Sequence, residues 1–422
     1  MSRTIVSVPR SFATASGYEW KAVTLLTLGF GLVGLDRWII APLFPAIMHD
    51  FGLSYQDLGN LIGILGVAWG VTAIIMGRMS DRFGRRKVLI PSLLLFSLLS
   101  GVSGLAGGLL SLCLIRGVIG ATEGAFTPAS GAAVVDASHP RRRGMNLGLQ
   151  MGAFGLFGLG FGPILATQLL AVVPSWRWVF FIVAVPGFIV ALLMAKTIRE
   201  PDHLDSNAPS SPAQESASTF FDAFRYRNVW LALLGLLGTM TGVWIVSAMT
   251  PNYLVDVLHL SPQSMGFAMS GLGFGGFTGE FVILGLSDFA GRRPAAGVAF
   301  LGAIACLYLF SVAGASPTLL FFLLFLTAFF AFGLVAMLAG PVAAEAAPVV
   351  LMSSSMGIIG GVSEIFGGGA APSLAGFFAG HFGLHSVYYL AMGGFVFGLV
   401  VCLGLRETAP RRSAGIAGFG HI

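Results

Sequence analysis

The feature that most constrains this chain is a series of long apolar runs separated by short polar joints. Twelve runs, near 22–47, 58–78, 88–107, 109–135, 145–172, 177–197, 229–254, 265–286, 295–314, 318–343, 353–379 and 385–405, carry almost no charge. About 20 consecutive apolar residues cross the hydrocarbon of a bilayer as an α-helix, where every backbone polar group must be satisfied within the segment. The expected fold is therefore an all-α membrane protein with twelve transmembrane helices. At 56% hydrophobic and 10% charged residues the chain is too apolar for a soluble globular protein. Its 59 glycines suit helices that approach closely in lipid. The first run, 22–47, is longer than the core of a signal peptide and reads as a retained spanning helix.

One polar stretch interrupts the series. Residues 199–228 contain Asp202-His203-Leu204-Asp205-Ser206-Asn207-Ala208-Pro209-Ser210-Ser211-Pro212, a linker composition with nothing to build a core. It divides the chain into an N-terminal six-helix bundle, 1–198, and a C-terminal six-helix bundle, 229–422. Phe220 to Tyr226 reads either as a short amphipathic turn on the membrane surface or as a plain lead-in to the seventh helix.

The two bundles are expected to be pseudo-symmetric, because a motif recurs between them. Gly77-Arg78-Met79-Ser80-Asp81-Arg82-Phe83-Gly84-Arg85-Arg86-Lys87 is echoed by Leu284-Gly285-Leu286-Ser287-Asp288-Phe289-Ala290-Gly291-Arg292-Arg293. Asp81 and Asp288, Gly84 and Gly291, and Arg85-Arg86 and Arg292-Arg293 are each 207 residues apart. Leu53-Ser54 and Gly59 recur at the same offset as Leu260-Ser261 and Gly266. Basic residues in short loops stay on the cytoplasmic side of a membrane. With the N-terminus in the cytoplasm, 20 of the 23 Lys and Arg residues fall on that side, Arg177 falls outside, and Arg37 and Arg116 fall within spans. Both termini are accordingly expected in the cytoplasm, with the chain multi-pass in the inner (plasma) membrane. The net charge of +5 resides in these loops and implies no nucleic-acid partner. Cys113, Cys306 and Cys402 lie within apolar runs without metal spacing and read as packing residues.

The block from Gly77 to Lys87 resembles the signature of the major facilitator superfamily, Gly-x-x-x-Asp-Arg-x-Gly-Arg-Arg, between its second and third helices. Trp176-Arg177-Trp178-Val179-Phe180-Phe181 is similar to a common string of the same superfamily, and the resemblance extends over nearly the whole chain. Gly158-Leu159-Gly160-Phe161-Gly162-Pro163 resembles the Gly-Pro motif of proton-coupled drug exporters, although importers carry such pairs too. The resemblance implies alternating access, with Gly77, Asp81, Arg82, Gly84, Arg85 and Arg86, echoed by Asp288 and Arg292, as the gating motif. Physically, Asp81 suits a helix cap or a pairing with arginines across the two halves that breaks on opening. The plainer reading is that these cations only set topology. Leu284 and Phe289 depart from the pattern, which makes the echo the weaker latch.

Ionisable residues within spans mark functional sites, because placing them there is costly. The first helix carries Asp36 and Arg37, and the fourth carries Arg116 and Glu123. Residues seven apart fall on one helical face, so Arg116 and Glu123 look the same way, and Asp36 and Arg116 lie at similar depth. One reading is a static ion-pair network locking the two helices. The other is a transport site near mid-membrane between the halves. There Arg37 or Arg116 would hold a substrate carboxylate through the guanidinium fork, and Asp36 or Glu123 would carry the coupling proton. The Asp36-Arg37 pair with Pro42 and Pro45, and the spacing of Arg116 and Glu123, resemble the anion:cation symporter branch, which takes up organic acids with protons. Glu280 and Glu364 are extra buried acids and depart from that branch. Asn146 and Gln150 lie at i,i+4 on the fifth helix and read either as substrate-binding residues or as helix packing. Trp38, Trp244 and Tyr253 stand either beside the substrate or as interface anchors.

The expected activity is therefore proton-coupled import of a small organic anion by a secondary transporter. The alternative is a proton-driven antiporter that exports a drug-like, zwitterionic or cationic compound. The expected partners are a small-molecule substrate, protons and the lipid bilayer, and the chain is expected to be a monomer. An enzyme is not expected, since there is no His-rich or paired-Cys cluster for a metal, and no cofactor is expected. ATP coupling is disfavoured by the lack of a Gly-x-x-x-x-Gly-Lys-Ser/Thr loop.

Overall fold

The structure, a computed structural model, describes residues 15–199, 222–348 and 351–407, with side chains described throughout these except at 15–16, 77–83 and 352–354. The regular elements among the described residues are all helical. α1 comprises Ala15–Trp38 and Ile40–Phe51. It is followed by α2 (Tyr55–Phe83), α3 (Arg85–Ser103) and α4 (Leu109–Ala137). α5 runs from Arg143–Gly155 through a wide π-turn at Leu156–Phe161 into Gly162–Val172, and α6 is Trp176–Thr197. α7 is Arg227–Asn252 with a wide turn at Tyr253–Val257, and α8 (Pro262–Ala290) and α9 (Arg292–Val312) follow. α10 passes from Pro317–Met337 through Leu338–Val342 to Ala343–Glu345. α11 joins Met352–Ser363 and Ala371–Phe382 through a wide turn at Glu364–Ala370, and α12 is Ser386–Cys402.

Each apolar run of the sequence falls in one of these helices. Ten of them, α1 to α10, are long and apolar enough to cross a membrane among the described residues. α11 is split by its wide turn, and α12 is shorter at 17 residues. Large apolar side chains such as Ile75, Leu98, Val118, Leu192, Leu301 and Val400 stand exposed on the outside of the assembly. In water such a surface would drive association, and in lipid it is already in its solvent. Most of the 199–228 linker lies outside the described residues. Its last part holds a short 3₁₀ turn, Ala223–Arg225, with Ala223 buried and Phe224 against Trp230.

The internal repeat extends to the helix boundaries. α2 begins at Tyr55 and α8 at Pro262, α3 at Arg85 and α9 at Arg292, and both pairs are offset by 207. The packing repeats as well. α2 lies along α4, α3 against α4 and α6, and α1 along α5 and α6; likewise α8 lies along α10, α9 against α10 and α12, and α7 along α11 and α12. Between the two sets, α2 meets α11 and α5 meets α8, so corresponding helices exchange roles. The joints between α2 and α3 and between α8 and α9 each turn on a glycine with positive φ, Gly84 at 94° and Gly291 at 102°. A side chain at either position would be strained, which accounts for the glycine in both copies of the motif.

The helical irregularities sit beside prolines. Pro42 cannot donate to the carbonyl of Trp38, and α1 breaks at Ile39. The wide turns of α5 and α11 directly precede Pro163 and Pro372, that of α7 follows Pro251, and that of α10 contains Pro341. Each missing amide removes one rung of the helical ladder, and the helix widens or bends there.

The closest approaches are made through glycine. Gly120 and Gly124 of α4 lie on the backbone of α2 at Leu65 and Trp69, and Gly275 and Gly279 of α8 lie on α10 at Phe325 and Phe329. Between the sets, Gly59, Gly63 and Gly66 of α2 face the backbone of α11 at Pro372, Gly369 and Gly368, and Gly273 of α8 faces Gly160 of α5. These backbone contacts cluster at the end of the molecule remote from Gly84. Towards Gly84 the sets meet through side chains, Ile74 over Gly361 and Phe281 beside Gly148. A methyl group added at Gly279 would collide with the Phe329 carbonyl, whereas Gly285 on the same helix has open space. Gly279→Leu is expected to cost at least about 1–3 kcal/mol of stability through overpacking. Gly285→Leu should leave the unfolding temperature in detergent unchanged, and thermal denaturation of the purified variants provides the comparison.

Candidate functional site

The buried charges meet where α1, α2, α4, α5, α7 and α11 converge. Asp36 and Arg37 are adjacent on α1, so their side chains leave the helix about 100° apart and enter different surroundings. Asp36 turns into the first helix set, beside a small cleft whose lining includes Leu32, Phe96, Ser97, Ser100 and Gly187. Arg37 turns the other way, to the seam between the sets, and forms a buried ion pair with Glu364 at the start of the wide turn in α11. The two side chains are 2% and 5% exposed, so neither charge is compensated by bulk water. Gly368, one turn further along α11, makes room for this pair; a side chain there would strike both the Glu364 carboxyl and the Arg37 guanidinium.

Four aromatic rings surround the guanidinium. Its central carbon lies 5.6 Å from the ring centre of Trp38, 5.7 Å from Trp69, 5.9 Å from Phe154 and 5.3 Å from Trp244. Trp38 and Trp244 stack across the seam at 5.0 Å, bringing α1 of the first set against α7 of the second. Such ring faces attract a cation by about 0.5–2 kcal/mol each, more as water is excluded. The indole nitrogens of Trp38, Trp69 and Trp244 and the Nε of Arg37 have no hydrogen-bond partner among the described residues. The site thus gathers one guanidinium, paired with Glu364, and several unspent donors.

Behind Arg37 stands the second basic residue. Arg116 on α4 donates through Nη1 to the main-chain carbonyl of Asp36 at 2.9 Å and of Arg37 at 3.4 Å. It therefore holds the α1 backbone at the point from which Asp36 and Arg37 diverge, and forms no ion pair with a carboxylate among the described residues. Glu123, one face-repeat along α4, is fully buried and neither of its carboxyl oxygens has a hydrogen-bond partner among the described residues. Its charge interacts through space with Asp36, Arg37 and Arg116. Glu280 lies elsewhere, half-buried on α8 with its carboxyl near Gly152 of α5.

Asn146 and Gln150 are fully buried away from this cluster. The Asn146 amide donates to Glu19 of α1 at 3.1 Å and to Ser138 at 2.8 Å, and Gln150 donates to Ser130 at 2.8 Å. Both amides thus serve contacts among α1, α4 and α5. Tyr253 packs with Phe310, Tyr388 and His385 rather than with Arg37. Trp69 and Phe154, two walls of the Arg37 cage, were not expected from sequence; among 36 phenylalanines and 7 tryptophans nothing local marks them.

In the gating motif, the side chains of Asp81 and Arg82 lie outside the described residues, and Gly77 has no side chain to place. Arg85 forms an ion pair with Asp136 of α4, and Arg86 donates to the Ala195 carbonyl of α6. In the echo, Arg292 binds Asp288 at 2.7 Å and Glu345 of α10 at 3.1 Å, and its main-chain amide donates to Glu407 at 2.8 Å. These pairings each stay within one helix set. At the remote end, Tyr55 of α2 donates to Asp256 of α7 at 2.9 Å, a bond between the sets.

A multi-pass helical fold with a buried ion pair at the seam of two repeated helix sets defines a membrane transporter rather than an enzyme. The sequence matches the family described as the Major Facilitator Superfamily over residues 26–282 and 232–420, and the chain belongs to that family. It is 28% identical over 374 residues, 87% of this chain and 84% of the relative, to a probable 4-methylmuconolactone transporter of Cupriavidus pinatubonensis. It is also 28% identical over 262 residues to a hexuronate transporter of Bacillus subtilis, covering 59% of this chain and 61% of that one. Among solved structures, a bacterial homologue of the human lysosomal transporter Spinster, inward-facing and unoccupied, shares the fold with a TM-score of 0.71 at 21% identity over 92% of this chain and 96% of that one.

The geometry separates the two arginines. Arg116→Lys takes away the Nη1 donor that reaches both carbonyls, and leaving a buried acceptor unpaired costs about 1–3 kcal/mol. Its unfolding temperature in detergent should fall measurably. Glu123→Gln is close in shape and disturbs no hydrogen bond, so its unfolding temperature should stay near that of the wild type.

Proposed function

We propose that this chain is a secondary transporter that imports a small organic anion of the sugar-acid type together with a proton, by alternating access. The observation that carries the reading is the setting of Arg37: a guanidinium at the seam between the helix sets, ringed by aromatic faces and unspent indole donors. A guanidinium fork matches the two oxygens of a carboxylate, and indole N–H groups match hydroxyl oxygens around it. A ligand rich in acceptors is the chemical complement of such a site. The relatives named for hexuronate and methylmuconolactone support the same substrate class. In this reading Arg37 holds the carboxylate, Arg116 fixes the α1 backbone beneath it, and a buried carboxyl of the same cluster takes the proton. Asp36 and Glu123 are the acids of the first helix set available for that role.

The protein then has twelve spans in two pseudo-symmetric bundles, 1–198 and 229–422, joined by a cytoplasmic linker at 199–228. α11 and α12 complete the second bundle, since they occupy the places of α5 and α6 in the repeat. The basic loops favour both termini in the cytoplasm, and in this reading the chain works as a monomer in the inner (plasma) membrane. The backbone contacts between the sets lie towards the end remote from Gly84, which suits a conformer closed to the outside.

A second reading rests on Glu280. It is half-buried on α8 without an ion-pair partner among the described residues, and an acid so placed favours a zwitterionic or cationic compound exported in exchange for protons. Proteoliposome assays separate the two. With the lumen alkaline relative to the outside, glucuronate, galactonate and methylmuconolactone should be accumulated, and Arg37→Lys should weaken binding about 10- to 100-fold through loss of the bidentate pair. If no carboxylate is taken up and a lipophilic cation is instead expelled from the lumen, driven by protons entering down the same gradient, the export reading replaces the import reading.

A further inference from the structure

The carboxylate site of the proposed transporter already contains a carboxylate. The Glu364 oxygen occupies the Arg37 guanidinium, and Gly368 provides the space for it. An incoming anion must take over the contact that Glu364 makes. A displaced, buried Glu364 would then carry a negative charge in the same enclosure as the substrate's own charge, a costly arrangement that protonation relieves.

We propose that Glu364 is an internal competitor for Arg37, and that its protonation on displacement is what couples a proton to the carboxylate substrate. The inference rests on the carboxylate-transport reading and identifies the acid that serves it. The step balances. The ion pair of Glu364 carboxylate with Arg37, plus a substrate carboxylate and one proton, gives neutral Glu364 and an ion pair of Arg37 with the substrate. The charge enclosed is the same before and after, so one monoanion and one proton enter together without net charge.

The groups facing Glu364 support this assignment. α1 presents Arg37 to it directly, with Asp36 turned away on the same helix. α4 presents Arg116 and Glu123 from behind Arg37, and Arg116 is engaged with main-chain carbonyls. α2 and α7, which pack on the wide turn of α11, bring Trp69, Gly66 and the Leu233 carbonyl bound by Ser363. The described charged side chains of α2 and α7 lie towards their ends, at Asp57, Asp256 and Arg227. On α10, Glu345 is engaged with Arg292. Glu364 is therefore the one acid among the described residues in contact with the Arg37 guanidinium. The wide turn at Glu364–Ala370 gives the backbone beneath it an irregular geometry that an ordinary helix lacks.

Glucuronate is a suitable probe, and the tryptophans around Arg37 report its binding by fluorescence. Because binding takes up a proton, the wild-type Kd should tighten about tenfold for each unit that pH falls wherever one proton is taken up per glucuronate bound. In weakly buffered detergent solution, a pH indicator should register one proton taken up per glucuronate bound. Glu364→Gln should bind glucuronate more tightly than wild type at neutral pH, lose the pH slope and the proton uptake, and retain glucuronate exchange while losing accumulation driven by a pH gradient. If Glu364→Gln does not fold, Gly368→Ala provides the independent test. Its methyl displaces the Glu364 carboxyl and also crowds the Arg37 guanidinium, so the readout is the pH slope, which should flatten whatever the change in affinity.

Wild-type proton uptake and pH slope persisting in Glu364→Gln, or in Gly368→Ala, overturn the proposal while leaving Arg37-dependent carboxylate transport standing. A wild-type protein whose fluorescence responds to none of glucuronate, galactonate and methylmuconolactone overturns the transport reading and this proposal together.

Discussion

The structure depends on the difficulty of keeping a guanidinium in a low-dielectric interior. Arg37 lies far from either end of its helix and cannot extend to water, so the surrounding helices must meet its charge. They do so with one carboxylate and four ring faces, contributed by α1, α2, α5, α7 and α11. Both helix sets are therefore tied to a single side chain. Any movement of one set against the other must either preserve the Arg37–Glu364 contact or provide a substitute for it. That condition links conformational change to ligand identity without a signal travelling through the fold.

Around this centre the sets meet by two different means. Where glycine lines both surfaces, as at Gly66 against Gly368 and at Gly160 against Gly273, backbones touch and the fit is shape on shape. Where Ile74, Phe277 and Phe281 intervene, the contact consists of flexible side chains. Rigid backbone seams hold one geometry well and part as a unit, while side-chain contacts yield gradually. Tyr55 and Asp256 add a polar latch at the glycine-lined end. Arg85 and Arg292 brace the opposite end by tying α3 to α4 and α9 to α10 within each set. Each set can then behave as a solid body while the seam changes.

Much of this was legible in the sequence. The apolar runs fall in helices, and the offset of 207 found in the Gly77–Lys87 block recurs in the starts of α2 and α8. The glycines at 84 and 291 stand where positive φ requires them. The charges at Asp36, Arg37, Arg116, Glu123, Glu280 and Glu364 were identifiable from the sequence, because charge within an apolar run is conspicuous. Their pairing was not. Arg37 and Glu364 are 327 residues apart, and nothing local in either helix records the other. Depth along α1 and α4 placed Asp36 near Arg116, but depth does not determine the direction of a side chain, and Arg116 reaches main-chain carbonyls instead. For Asn146 and Gln150 the periodicity showed that the two share a face, yet not which face of α5 points to the seam. They join α1 and α4, with the buried Glu19 as a partner that lay unmarked near the start of the chain.

The wide turns of α5 and α11 give the seam a symmetry of shape. They begin at Leu156 and Glu364, nearly one repeat length apart, each followed within a few residues by the proline that opens the next helical segment. Both helices therefore depart from the regular ladder at the same depth, one from each half. The charge is not repeated: the counterpart of Glu364 by the 207-residue offset is Phe157, an apolar residue. The seam is thus matched in backbone and unmatched in chemistry, with an acid on one side of the pseudo-symmetry and an aromatic ring on the other.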